Sequence, residues 1–172
     1  MYDSNHLANH LRIASINKKD ETFIYLHEND QIISFDAFFS NSEKVASALI
    51  SAGIKPGDRV AMQVEKSASA LELYFGTILA GAVFLPLNTA YVAEEIDFFL
   101  RDAQPFIFVC DPAKLENLTK IAKSNKVNNL WTLSADSKGS LIDAKNDESP
   151  GFNGVKRDPE DLAAVLYTSG TT

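Results

Sequence analysis

Short apolar runs alternate with amphipathic stretches of helical spacing along most of this chain, and that alternation limits its fold more than any other feature. Arg59 to Val64 alternates, with Val60, Met62 and Val64 on one side, and reads as a strand. Ser67 is placed to cap a helix carrying Leu71, Tyr74, Phe75, Ile78 and Leu79, closed by Gly81. Val83-Phe84-Leu85 is a short strand stopped by Pro86. Ala93 to Asp102 reads as a helix, with Ile96, Phe99, Leu100 and Ala103 on one face. Phe106 to Cys110 is an apolar strand between Pro105 and Pro112. Lys114 to Ser124 is then a helix, Asn128-Asn129 a turn and Leu130 to Leu133 a strand. Strands alternating with helices imply an α/β fold: a mostly parallel sheet flanked by helices.

The chain before this pattern reads differently. Asn5 to Ile16 carries Leu7 and Leu11 and makes a short amphipathic helix. Thr22 to His27 and Gln31 to Ile33 are strands joined by the turn chemistry of Asn29-Asp30, an early β-hairpin. Ser34 is an N-cap, and Phe35, Phe38, Phe39, Val45, Ala46, Leu49 and Ile50 recur at helical spacing through Ala52. Gly53 is placed to end that helix. Lys55-Pro56-Gly57-Asp58 fits a type II turn, where proline fixes φ and glycine takes a positive value.

The last stretch carries the functional signal. Leu162 to Tyr167 is six apolar residues in a row, which suits a strand buried on both faces. Thr168-Ser169-Gly170-Thr171-Thr172 follows, hydroxyl residues around one glycine. A glycine lets the backbone approach an anion closely, and N–H groups and hydroxyls then converge on its oxygens. Ligands of parallel sheets bind beyond the carboxyl ends of strands, where this loop lies. The same residue types also make ordinary linkers, and no lysine completes a G-x-x-x-x-G-K-[ST] loop. Between the last two strands, residues 134–160 are polar and rich in glycine and proline, and read as a surface connection with Leu141-Ile142 a brief ordered patch.

Charge and composition exclude several classes. Lys and Arg number 16 against 23 Asp and Glu, a net charge of −7, which argues against non-specific nucleic-acid binding. Cys110 is the only cysteine, so no intrachain disulfide forms, in keeping with a reducing compartment. No basic–apolar leader, arginine-rich transit segment or apolar run near ~20 residues is present, so we expect a cytoplasmic protein without a membrane span.

Other residues invite functional readings that the sequence does not sustain. His6 and His10 are four apart, but no third ligand is evident and the glutamate of H-E-x-x-H is missing. Cys110 reads as a small buried residue, His27 as solvated, Lys66 as a surface residue, and Glu94, Glu95 and Asp102 as a solvated helix face. No catalytic residue and no metal ligand is assigned.

Tyr167-Thr168-Ser169-Gly170-Thr171-Thr172 resembles the start of the phosphate-binding signature of the adenylate-forming superfamily, which includes acyl-CoA synthetases, luciferases and peptide-synthetase adenylation domains. Gly53-Ile54-Lys55-Pro56-Gly57-Asp58-Arg59-Val60 resembles its early helix–turn–strand signature. Gly81-Ala82-Val83-Phe84-Leu85-Pro86-Leu87-Asn88 resembles the strand that follows. Val64-Glu65-Lys66-Ser67, Pro86-Leu87-Asn88-Thr89-Ala90-Tyr91 and Asp161 to Tyr167 are similar to the malonyl-CoA synthetases within that superfamily.

The resemblance implies the N-terminal subdomain of the adenylate-forming fold and a two-step ligation. A carboxylic acid, malonate in that subgroup, is activated by ATP with Mg²⁺ and passed to coenzyme A. It implies that Thr168, Ser169, Gly170, Thr171 and Thr172 bind ATP. The loop lysine, the Mg²⁺ acid, the acyl pocket and the catalytic lysine fall beyond Thr172 in the family pattern. Residues 1–172 are therefore expected to be the front of an AMP-binding domain, ending inside the phosphate loop and inactive alone. None of Arg12, Arg59, Arg101 or Arg157 is assigned to a second carboxylate. A ligase for methylmalonate, another short acid or a fatty acid, or a non-catalytic fragment, are the alternatives.

Overall fold

The computed structural model of the chain describes residues 2–168. Helix α1 (His6–Ile13) begins at Asn5, whose side chain accepts from the Ala8 amide. Strands β1 (Thr22–Leu26) and β2 (Gln31–Ser34) form the antiparallel hairpin expected from the turn residues between them. Ser34 then caps α2 (Phe35–Ser51), accepting from the Ala37 amide at 3.2 Å. In the turn that follows, the Asp58 amide donates to the Lys55 carbonyl at 3.0 Å and Gly57 has φ 87°. A side chain there would be strained, which is why glycine occupies it.

The main sheet is parallel throughout, in the order β4-β3-β5-β6. Its strands are β3 (Arg59–Gln63), β4 (Val83–Pro86), β5 (Ile107–Cys110) and β6 (Asn129–Thr132). The connecting helices are α3 (Ala68–Leu79), α4 (Ala93–Ala103) and α5 (Leu115–Ser124), the last entered through a short 3-10 turn, Pro112–Lys114. Successive strand residues point to opposite faces, so two cores form. Val60, Ile107 and Val109 pack with α2 and α3 on one face. Ala61, Leu85, Phe108 and Cys110 pack with Ile96, Phe99 and Leu100 of α4 and Leu118 of α5 on the other.

Two stretches differ from the reading of the sequence. Residues 134–160 contain a further helix, α6 (Ser140–Asn146), whose Leu141 is fully buried in the α2–α3 core. Lys145 on the same helix is buried against α3, its ammonium 2.9 Å from a Glu72 carboxylate oxygen. Polar composition hid this helix because it buries only a narrow stripe.

Leu162 to Tyr167 is not a strand buried on both faces. It is an extended segment beside β4, joined by one parallel bridge, Phe84 to Ala164. The Phe84 amide donates to the Ala163 carbonyl and the Val165 amide to the Phe84 carbonyl, both at 2.9 Å. Leu162 and Leu166 are 64% and 68% exposed. The segment lies at the outer edge of the sheet; Ala163 and Ala164 are half-buried, and Val165 and Tyr167 pack on the α4-side core. Ala164 and Leu166 face an open apolar groove of about 600 Å³, lined also by Ile24, Met62, Tyr74 and Phe84.

Candidate functional site

The carboxyl ends of the strands meet at Gln63, Pro86 and Cys110, from β3, β4 and β5. The chain passes from β3 to β4 on one side and returns to β5 on the other. The crevice outside such a reversal is the usual ligand position in open parallel sheets.

Gln63 organises this end. It is 1% exposed, and its Nε2 donates to the Asn88 carbonyl at 2.9 Å and the Tyr91 carbonyl at 3.0 Å. The Tyr91 amide donates to the Asn88 carbonyl at 3.1 Å, closing the turn after β4. Asn88 Oδ1 accepts from the Ala90 amide, and Lys114 Nζ donates to the Thr89 carbonyl at 2.6 Å. The turn is thus held by Gln63 from β3 and by Lys114 from the 3-10 turn after β5.

At the sheet edge, Tyr167 is fixed from α4. Its hydroxyl donates to Asp102 Oδ2 at 2.6 Å, and its ring centroid lies 4.6 Å from that of Phe99. Tyr91 contacts the same Phe99 ring at 4.8 Å. Burial raises the Tyr167 hydroxyl to about 12, helped by the hydrogen bond to Asp102 and its negative charge. Thr168 follows and is exposed at the carboxyl edge. Of the sequence-predicted site residues only Thr168 is therefore placed; Ser169, Gly170, Thr171 and Thr172 lie outside the described residues.

The other singled-out residues resolve as follows. Cys110 is fully buried, and burial, with the charge of Asp111, pushes its thiol up to about 11, so at neutral pH it is a protonated core residue. The His6 and His10 rings pack edge to face at 4.6 Å, and among the described residues no group of three or more His, Cys, Asp or Glu is arranged to hold a metal. Glu95 caps α4 by accepting from the Val92 amide at 2.9 Å. Asp102 is not simply solvated, because Tyr167 reaches it.

Gln63, Asp102 and Lys114 are the residues that sequence reasoning missed. Gln63 had a readable signal: it is the polar member on the inner side of a strand covered on both faces. Asp102 and Lys114 had none, because their partners are distant in the chain.

The AMP-binding enzyme family matches residues 11–172. The chain belongs to this family. Among solved structures of AMP-binding enzymes it is similar to apo MatB from Rhodopseudomonas palustris, with 41% identity and a TM-score of 0.86 over 96% of this chain and 33% of MatB. ATP-bound MatB from the same organism gives 42% identity and a TM-score of 0.84, again covering 96% and 33%. The oxalate–CoA ligase of Arabidopsis thaliana is 31% identical over 134 residues, 76% of this chain and 26% of that protein. The chain thus spans about a third or less of the length of these AMP-binding enzymes.

Proposed function

We propose that these residues are the front of an AMP-binding domain in an ATP-dependent acyl-CoA synthetase, with malonate as its acid. In the first step a carboxylate oxygen attacks the α-phosphorus of ATP; the bond to pyrophosphate breaks and an acyl-adenylate remains. In the second the sulfur of coenzyme A attacks the acyl carbon, the bond to AMP breaks, and the thiol proton is released.

The observation that carries this reading is the family match running through Thr172, together with Thr168 exposed at the carboxyl edge of a parallel sheet. A hydroxyl at that position suits phosphate oxygens. In this reading the hydroxyls of Thr168, Ser169, Thr171 and Thr172 donate to the β- and γ-phosphates, and Gly170 leaves room for the backbone to approach. Fixed donors aimed at charge developing on the departing pyrophosphate are an effective use of binding groups. ATP supplies the leaving group. Mg²⁺ would be held largely by phosphate oxygens and water, which needs no cage of protein carboxylates. No described residue is assigned to coenzyme A. The small substrates fit a cytoplasmic reaction, and no helix among the described residues is long and apolar enough to cross a membrane.

Malonate is favoured by the segments similar to malonyl-CoA synthetases and by the 41% identity with MatB. A ligase for methylmalonate, another short acid or a fatty acid is the second reading, kept by the likeness to an oxalate–CoA ligase. Pyrophosphate exchange on the full-length protein separates them. Malonate-dependent exchange is expected; exchange with acetate or octanoate but not malonate removes the malonate reading. The 172-residue chain alone is expected to lack ligase activity and to bind ATP weakly or not at all. Calorimetry showing saturable micromolar binding would contradict that.

A further inference from the structure

The segment that leads into the hydroxyl run is held to the sheet by little backbone. Among the described residues, Val165 is the last of the segment with a backbone hydrogen bond to β4. Beyond it the anchor is the side chain of Tyr167, which meets Asp102 through its hydroxyl and Phe99 through its ring. Both partners sit on a fixed helix. Arg59 Nε donates to the Ala103 carbonyl at 2.6 Å and Nη2 to the Gln104 carbonyl at 3.1 Å, tying the end of α4 to β3. The Gln63-held turn places Tyr91 against the other side of the same aromatic cluster.

We propose that Asp102 and Tyr167 form a latch that fixes where the chain leaves the sheet, making both of them positioning residues for ATP. This rests on the ATP-binding reading of Thr168–Thr172. Neither residue touches nucleotide in this account. They hold the base of the run at a set height on β4, so that Thr168 starts from one position. An unlatched base lets the run sample other positions, and a binding-competent state that is only partly populated weakens apparent affinity in proportion.

The test uses the full-length protein with Tyr167→Phe, Asp102→Ala and the double variant. Each single change is expected to raise the KM for ATP roughly two- to tenfold, the range that one net hydrogen bond supports. The KM for the acid should stay put. The double variant should be no worse than the poorer single one, because both remove the same contact. Additive effects, or an unchanged KM for ATP with only a lower melting temperature, overturn the latch. Wild-type protein without any ATP-dependent exchange overturns the ATP reading instead. In that case alkaline titration still tests the contact: burial, helped by Asp102, holds the Tyr167 hydroxyl above 10.0, so Asp102→Ala should lower its titration midpoint part of the way, burial keeping the rest. An unshifted titration in Asp102→Ala overturns the latch.

Discussion

Asn5 shows how one side chain joins distant parts of this chain. It is fully buried, caps α1, and its Nδ2 donates to the carbonyls of Ile78 at 2.8 Å and Val155 at 3.0 Å. Asn5→Ala removes the cap and both Nδ2 bonds; the Ile78 carbonyl keeps the Gly81 amide at 2.9 Å, while the Val155 carbonyl loses its Asn5 partner. We expect a loss of roughly 2–4 kcal/mol in denaturant unfolding, from one cap and two buried hydrogen bonds. Lys145 carries a different risk. Its partner Glu72 is 3% exposed at the side chain and also accepts from Asn41 at 2.8 Å. Lys145→Ala strands a buried carboxylate, which typically costs about 3–5 kcal/mol, far beyond a surface pair. Tyr167 adds a pH signature. Its folded value of about 12 exceeds 10.0, so the neutral hydroxyl is favoured by folding. Its contribution is complete below pH 10.0 and lost as pH rises toward 12; the stability gap between wild type and Tyr167→Phe should close across that window. Caps at Ser34 and Ser67 were legible because capping is local chemistry. The Asp102–Tyr167 contact joins residues 65 apart, and nothing local announces it.

Helix pairing depends on one missing Cβ. A methyl on Gly76 of α3 would lie 2.7 Å from Val45 Cγ1 and 3.0 Å from the Ser42 carbonyl oxygen of α2. Alanine gains up to ~1 kcal/mol over glycine in an open helix, whereas forcing a methyl into a packed interface costs about 1–3 kcal/mol. Gly76→Ala is therefore expected to lower the melting temperature; a rise would mean that α2 and α3 do not meet this closely. The alternating elements of the sheet were readable because each strand is covered on both faces and each helix keeps a strong apolar stripe. Two elements were not. Helix α6 sits in a polar stretch and buries mainly Leu141, too little to stand out from a loop. Leu162 to Tyr167 has the composition of a buried strand, yet its outer face and edge have no cover among the described residues. Apolar composition states a demand for burial; it does not say which part of a protein meets it.

On the scale of the whole molecule, part of the exposed apolar surface gathers beside the β4 edge. The groove of about 600 Å³ and the exposed Leu71, Leu162 and Leu166 form apolar surface near the segment that leads to Thr168. An apolar, partly unpaired sheet edge is a template for association. The isolated chain is therefore expected to self-associate in sedimentation velocity at high concentration, and a single monomer boundary would speak against it. The fold class, the hairpin and the direction of the sheet were all legible in the sequence. The expectation of a site at the hydroxyl run rested on position, and the segment before it does pair with β4 of a parallel sheet, though by a single bridge and not as the buried strand expected. The acid pocket was not legible: Arg12, Arg101 and Arg157 pair with Asp36, Asp97 and Asp161, and Arg59 holds the end of α4, so none of the four stands out as a carboxylate ligand. The central claim is that the carboxyl edge at Thr168 seats the polyphosphate of ATP. A crystal structure of the full-length protein with bound ATP tests it most directly. The Thr168 hydroxyl is expected within hydrogen-bond distance of a β- or γ-phosphate oxygen; a triphosphate bound elsewhere, with Thr168 facing solvent, would contradict the account.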